Sequence, residues 1–300
     1  MRRKCGGGPG TAGVGAEWGA GDFMRRELLP LVRDALAGRY TLDREIARGG
    51  AAYVYSGQDA DGNAVAVKVL RPELAVTVTA DRFLREVDFL RKLEHPHVAR
   101  MLDSGEAEFF LFYVMPMIEG PSLRQHLDRA RRVSVDDTRR IGWDLLDALG
   151  YFHDRQIVHR DVKPDNIVLR PDGAVLVDFG IAKAIADAGV DRLTRSGFTV
   201  GTSHYMSPEQ VQGELDIDHR CDIYSMGCVL FECLAGRPPF WHQREEHVLR
   251  MQQLDPAPDV RELREDTPAL LAQAIARALQ KDRNRRWATA VEMRAAIGKE

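Results

Sequence analysis

The spacing of apolar side chains changes character twice along the chain. From Glu27 to Leu36, the residues Leu28, Leu29, Leu31, Val32 and Leu36 recur at helical spacing. They predict a short amphipathic helix with Pro30 near its start, where a missing N–H is tolerated. From Tyr40 onward the apolar residues gather in short runs rich in Val, Tyr and Phe, bounded by Gly or Asp. Ala51–Tyr55, Ala64–Leu70 and Phe110–Met115 read as strands, with Asp61-Gly62-Asn63 as a hairpin turn between two of them. One helix interrupts this set, because Phe83, Val87, Leu90 and Leu93 recur at helical spacing between Asp81 and His95. Beyond Gly120 the balance reverses, with helical periodicity over Ile141–His153, Asp222–Leu234 and Leu270–Gln280. A small strand-rich part followed by a larger helical part predicts an α+β chain with two lobes.

Composition narrows the class of protein. The 300 residues are 44% hydrophobic and 29% charged, a globular balance. A chain of this length buries roughly three quarters of its unfolded surface and needs no staple. Lys+Arg 42 against Asp+Glu 45 leaves a formal charge of −3, so nothing favours nucleic acid or an anionic membrane as partner. No apolar run approaches the roughly 18–20 residues of a spanning helix, so no membrane segment is expected. Cys5, Cys221, Cys228 and Cys233 form no Cys-x-x-Cys pair, and the last three share one apolar stretch, where thiols act as small core side chains. A reducing, cytoplasmic compartment fits that usage. Residues 1–22 hold eight of the 26 glycines and read as a flexible leader without the apolar segment of a secretory signal. With the short helix, residues 1–38 are therefore set apart from the remainder of the chain.

Three stretches carry polar residues inside apolar surroundings. Lys68 stands in the middle of Val65-Ala66-Val67-Lys68-Val69. A lysine there is costly to bury alone, and Glu86 on the following helix is its natural partner. His159-Arg160-Asp161-Val162-Lys163-Pro164-Asp165-Asn166 follows the apolar Ile157-Val158, and Asp178-Phe179-Gly180 follows Ala174–Val177. Asn166 and Asp178 offer the hard oxygen donors that Mg²⁺ prefers. Asp161 and Lys163, two residues apart, project the same way if the chain is extended. A carboxylate beside an ammonium can orient a hydroxyl while the cation offsets charge on a transferring group. The set suits phosphoryl transfer, where positioning and charge neutralisation supply most of the catalysis.

Over residues 39–298 the order of these motifs resembles a bacterial eukaryotic-type (Hanks-type) serine/threonine protein kinase. The resemblance implies a bilobal protein kinase-like fold: an N-lobe over 39–115 that includes the family's helix αC, a hinge over 116–120 and a helical C-lobe over 121–298. It implies that Lys68 holds ATP phosphates with Glu86 as its ion-pair partner. By the same resemblance Asp161 takes or orients the hydroxyl proton, Lys163 steadies the γ-phosphate, and Asn166 and Asp178 bind metal. Glu209 in Ser207-Pro208-Glu209 then pairs with Arg286, and Asp222 supports the catalytic-loop backbone. The cofactors implied are ATP and Mg²⁺, with Mn²⁺ as an alternative.

The glycine-rich loop departs from the family pattern. Anchored on Val54, the glycine positions fall on Ala47, Gly49 and Ala52, so only the middle one is glycine, with Gly50 beside it. Alanine restricts both positive φ and close backbone approach, which is expected to tune nucleotide affinity. For the adenine pocket the resemblance implies Met115 as gatekeeper, Pro116 and Ile118 in the hinge, and Val54, Ala66 and Val168 around the ring. The catalytic-loop Lys163 and the Gly201-Thr202 pair resemble the Ser/Thr-specific branch, with Thr202 expected to hydrogen-bond Asp161 and Lys163. Arg160 is expected to bind a phosphorylated loop residue, with Thr194, Ser196 and Thr199 as candidates. Partners implied are protein substrates bearing Ser or Thr, the chain itself in autophosphorylation, and a homodimer for trans-activation. Two alternatives stand beside this expectation: a pseudokinase acting as a nucleotide-binding signalling module, and a small-molecule phosphotransferase of the same fold.

Overall fold

The computed structural model describes residues 28–50, 52–72, 83–84, 87, 90–178 and 202–298. Five strands, β1 (Tyr40–Arg48), β2 (Ala52–Asp59), β3 (Ala64–Leu70), β4 (Asp103–Ala107) and β5 (Phe110–Pro116), form one antiparallel sheet in the order β1-β2-β3-β5-β4. The turn between β2 and β3 is the expected one. Asp59 Oδ1 accepts from the Asp61 and Asn63 amides at 3.0 and 2.8 Å, and Gly62 takes φ +83°.

Strand alternation gives this sheet two apolar faces. On one, Ala66 and Leu70 of β3 join Leu111, Tyr113 and Met115 of β5, in a core that runs on into the helical lobe. On the other, Val65, Val67 and Val69 join Phe110, Phe112, Val114, Leu42 and Tyr55. β3 is therefore buried on both sides, which is why it reads as an almost unbroken apolar run. Helix α1 (Leu28–Ala35) covers the second face. Its Val32, with Leu36 just beyond its end, is fully buried there, and Arg33 Nε donates to the Leu42 carbonyl at 2.8 Å. The short helix that the sequence groups with the leader is thus packed onto the sheet. Residues 83, 84, 87 and 90 are helical, and Phe83, Val87 and Leu90 are buried against the first face.

β1 and β4 escape the apolar pattern for one reason. They are the sheet's edges, and most of their side chains are polar and at least partly solvent-facing.

The C-lobe contains α2 (Leu123–Ala130), α3 (Val135–His153), the hairpin β6 (Ile167–Arg170) and β7 (Gly173–Leu176), α4 (Pro208–Gln212), α5 (Arg220–Ala235), α6 (Glu245–Leu254), α7 (Ala269–Ala278) and α8 (Ala290–Ile297). Every residue of α5 from Cys221 to Ala235 is buried, so it is the lobe's central helix and carries no polar face. Its Gly227 admits α7 closely, since a Cβ there would stand 2.9 Å from the Ala278 methyl. Cys221, Cys228 and Cys233 are free, buried thiols, and burial pushes Cys228 and Cys233 far up from ordinary thiol values. Among the described residues no helix is long and apolar enough to cross a membrane.

The seating of α1 has a measurable consequence. Leu36→Ala should lower the unfolding free energy in urea by about 2–4 kcal/mol, as for a buried leucine that leaves a cavity. A loss under about 0.5 kcal/mol, the usual range of a surface change, would show that this segment does not hold the N-lobe.

Candidate active site

The segment from His159 to Asn166 is held from below by one carboxylate. Asp222, fully buried in the first turn of α5, accepts from the His159 amide at 2.8 Å, the Arg160 amide at 2.8 Å and His153 Nε2 at 3.0 Å. Burial alone would push this carboxyl up, but those donors and the neighbouring imidazoles outweigh it and hold the pKa below the usual range. The grip is needed because Arg160 has φ +63°, a left-handed conformation costly for a non-glycine residue. From α4, Gln210 Nε2 donates to the Arg160 carbonyl at 2.9 Å and fixes the same residue from its other end.

Past that bend the chain is extended at Lys163, with φ −159° and ψ 161°, and then closes in a 3₁₀ turn over Pro164–Asn166. The extended step brings Lys163 Nζ to 2.8 Å from Asp161 Oδ2. Asn166 Nδ2 donates to the Asp161 carbonyl at 2.9 Å and to Asp161 Oδ2 at 3.0 Å. Burial works to lower the Lys163 pKa, yet Asp161 beside it wins and holds the ammonium above its ordinary value. Lys163 and Asn166 thereby hold Asp161, with a cation beside it.

Across the cleft, β3 and β5 present a second charged group. Lys68 pairs with Tyr113 in the ladder, and its Nζ donates to Asp178 Oδ2. The Tyr113 hydroxyl donates to Asp178 Oδ1 at 2.8 Å. Lys68 and Asp178 side chains are 10% and 20% exposed, so this ion pair is shielded but reachable from the cleft. Glu86 lies outside the described residues. So do Thr194, Ser196 and Thr199, while Thr202 opens the 3₁₀ turn Thr202–Tyr205.

The remaining predicted residues lie on β1, β2 and the turn between them, β3, β5, the segment after β5, and β6. Ala47 pairs with Val54 across β1 and β2, and the Gly49 amide donates to the Ala52 carbonyl at 2.8 Å, with Gly50 in the turn. Arg71 Nε donates to the Gly49 carbonyl at 3.0 Å and so ties the turn to the end of β3. Ala66 lies opposite Met115, and Val65 opposite Pro116. The Met117 amide is taken up by the Ala64 carbonyl at 3.0 Å, which leaves the backbone at Pro116 and Ile118, on either side, as the polar edge available to a heterocycle. Val168 on β6 bridges to Ser122. Gly120 makes that approach possible: at φ +136°, a Cβ would lie 2.3 Å from the Leu169 carbonyl oxygen.

Two buried polar clusters brace the site from the C-lobe. Arg286 is fully buried, with Nη1 and Nη2 on Glu209 at 2.6 and 2.8 Å. Its remaining N–H groups reach the carbonyls of Gln280, Arg220 and Lys281 at 2.8 to 3.0 Å. Arg124 of α2 bonds Tyr205 Oη at 2.5 Å and Glu232 Oε1 at 2.9 Å, and Tyr205 donates to Glu232. This second cluster, with Tyr113, Gln210 and Arg71, goes beyond the residues named from the sequence. For Gln210 a signal exists, because Ser207-x-x-Gln210 is a capping-box pattern that marks the start of α4. The others meet residues distant in the chain, and no local pattern announces them.

The donor set fits a hard divalent cation. Asn166 turns its NH₂ towards Asp161, which leaves its carbonyl oxygen as the donor, and among the described residues each Asp178 oxygen accepts from one donor and keeps a lone pair. Among the described residues no three His, Cys, Asp or Glu side chains cluster to cage a metal. Two protein oxygens completed by water and phosphate is the pattern of Mg²⁺.

Comparison with known proteins agrees with this geometry. The protein kinase domain family matches residues 40–296, and the chain belongs to that family. It is 38% identical over 276 residues to a probable serine/threonine-protein kinase PknB of Bifidobacterium longum, covering 88% of this chain and 40% of that protein. It is also 38% identical over 260 residues to serine/threonine-protein kinase PknD of Mycobacterium tuberculosis, covering 85% of this chain and 39% of that one. The chain thus spans about two fifths of the length of the curated relatives it matches. The solved structure of Rad53 residues 1–466 in complex with AMP-PNP superposes with a TM-score of 0.69 at 26% identity, covering 85% of this chain and 64% of that one. The two-lobed α+β architecture expected from the sequence is therefore the fold observed. The family generally uses ATP and Mg²⁺ and acts on protein substrates.

Two outcomes are expected from the buried charges. Arg286→Met removes the cation and leaves Glu209 an uncompensated buried charge, and should cost about 3–5 kcal/mol in urea unfolding, as when a buried pair is broken. A change under about 1 kcal/mol, the range of an exposed pair, would deny the ion pair its bracing role. The folded pKa of Asp222 lies below its unfolded value, so its stabilisation is present above about pH 4 and is lost as pH falls through the lower folded value. Asp222→Asn should therefore unfold with a shallower acid limb than the wild type below about pH 4. Identical limbs would show that the carboxylate titrates alike in both states.

Proposed function

We propose that this chain is the catalytic unit of a serine/threonine protein kinase that moves the γ-phosphate of Mg·ATP onto a Ser or Thr hydroxyl. The observation that carries this reading is the Asp161 carboxylate, held by Lys163 and Asn166 and faced across the cleft by Lys68 on Asp178. The substrate oxygen forms its bond to the γ-phosphorus as the bond to the ADP oxygen breaks, and the hydroxyl proton passes to Asp161. Lys163 and Lys68 offset the charge that develops on the phosphoryl oxygens. Asn166 and Asp178 hold Mg²⁺, with Mn²⁺ as a substitute, and the cation supplies charge neutralisation on the phosphates. Glu86, outside the described residues, is read as a second partner of Lys68. Ala47, Gly49, Gly50 and Val54 cover the nucleotide from above, Ala66, Met115 and Val168 enclose the adenine, and Pro116 and Ile118 present backbone polar groups to it.

Lys163 and Thr202 favour hydroxyls of Ser and Thr as acceptors. Arg160 is read as the dock for a phosphate placed on Thr194, Ser196 or Thr199 by autophosphorylation, within a transient homodimer. Buried free thiols on α5 suit a reducing, cytoplasmic location. A nucleotide-sensing pseudokinase has only Ala47 and Ala52 in its favour. A small-molecule phosphotransferase is disfavoured by the braced Ser207-Pro208-Glu209 segment.

Incubation with radiolabelled ATP, Mg²⁺ and a generic basic protein should label both that protein and the chain itself. Asp161→Asn should lower turnover by roughly 10²–10⁴, the usual worth of a general base. Nucleotide binding without label transfer would support the pseudokinase, and an unchanged rate in the variant would refute the role of Asp161.

A further inference from the structure

Among the described residues two donors hold Asp178, and they differ in kind. Lys68 Nζ reaches Oδ2 from β3, and the Tyr113 hydroxyl reaches Oδ1 at 2.8 Å from the directly opposing position on β5. Tyr113 is fully buried, and Lys68 Nζ lies 5.6 Å from the centre of its ring. The ring packs in the core that joins the two lobes, and the hydroxyl is the polar end of an otherwise apolar side chain. A buried Tyr hydroxyl without a partner is costly, so its aim at Asp178 is a specified contact. Held at both oxygens, the carboxylate cannot turn about its Cβ–Cγ bond without breaking two charge-assisted hydrogen bonds.

We infer that Tyr113 is a positioning residue that holds the Asp178 carboxylate ready for the divalent cation that accompanies the nucleotide. The inference rests on the kinase reading above and adds a residue to it. Lys68 has two tasks, because its ammonium must also meet the nucleotide phosphates. Whenever it turns to them, its hold on Asp178 weakens. Tyr113 is a rigid neutral donor with no phosphate to serve, so it keeps the carboxylate in place during that exchange. Among the described residues each oxygen accepts one hydrogen bond and retains a lone pair for the metal, so the hydroxyl orients the ligand without replacing the cation.

The test reads metal dependence without turnover. ADP binding to the full chain is measured by calorimetry over a series of Mg²⁺ concentrations, and again in EDTA. In Tyr113→Phe, which keeps the ring, the Mg²⁺ concentration for half-maximal enhancement of ADP binding should rise roughly three- to tenfold, the worth of about one hydrogen bond. ADP affinity in EDTA should stay at the wild-type value. Tyr113→Leu should show a similar shift, since the hydroxyl and not the ring is the agent. A shift in the leucine variant alone would assign the effect to packing and overturn the inference. An unchanged or lowered Mg²⁺ requirement in Tyr113→Phe would overturn it as well, the latter by showing that the hydroxyl competes with the metal. Wild-type chain whose ADP binding ignores Mg²⁺ would refute the kinase reading itself, and this inference with it.

Discussion

The catalytic arrangement depends on one buried carboxylate. Asp222 sits in a helix with no polar face and directs its charge at two consecutive main-chain amides and an imidazole. Those bonds offset the cost of burying the charge and the strain of a left-handed Arg160. Without them the loop has no reason to keep the bend that turns Asp161 into the cleft. The helix can carry such a group because it is buried on every side from Cys221 to Ala235, so packing holds the anchor in place. A rigid core is thus what sustains a strained loop.

The same logic repeats at each charged position of the site. Arg286 satisfies its guanidinium on Glu209 and three carbonyls, and so ties the start of α4 to the chain after α7. Arg124, Tyr205 and Glu232 tie α2, the turn before α4 and α5. Each fixes a segment next to the site, and the Arg286–Glu209 pair is sealed from water, where a matched pair is held by geometry because either partner alone would be an uncompensated charge. Placement of single charges therefore matters more here than the near-neutral sum over the chain.

Much of this was legible in the sequence, in proportion to how local the signal was. β3 and β5 announce themselves by almost unbroken apolar runs because both their faces are buried, and α5 does so because it has no solvent side. β1 and β4 are silent because an edge strand needs no apolar alternation. Asp161, Lys163, Asn166 and Asp178 stand out as charged or polar residues directly after apolar runs, a cost that only function or a partner explains. Tyr113 does not stand out, since a tyrosine in a buried strand is ordinary. Only the fold reveals that its hydroxyl meets a carboxylate 65 positions away. For α1 the periodicity predicts the helix, but what it covers depends on which face of the sheet lacks a partner.

That face bears on how the lobes differ. The C-lobe has a central helix with protein on every side, whereas the N-lobe sheet has one face turned to the cleft and another that would meet water. Val32 and Leu36 remove that second face from solvent, and burying a side chain of this size is worth about 1.5–3 kcal/mol. The strands so steadied carry Lys68 and Tyr113, whose side chains leave the opposite face to meet Asp178. The outer helix and the inner charge pair therefore act on the same two strands, one through apolar contact and one through hydrogen bonds. Loosening the outer contact should be felt at the inner one, because a β-strand that shifts moves both of its faces together.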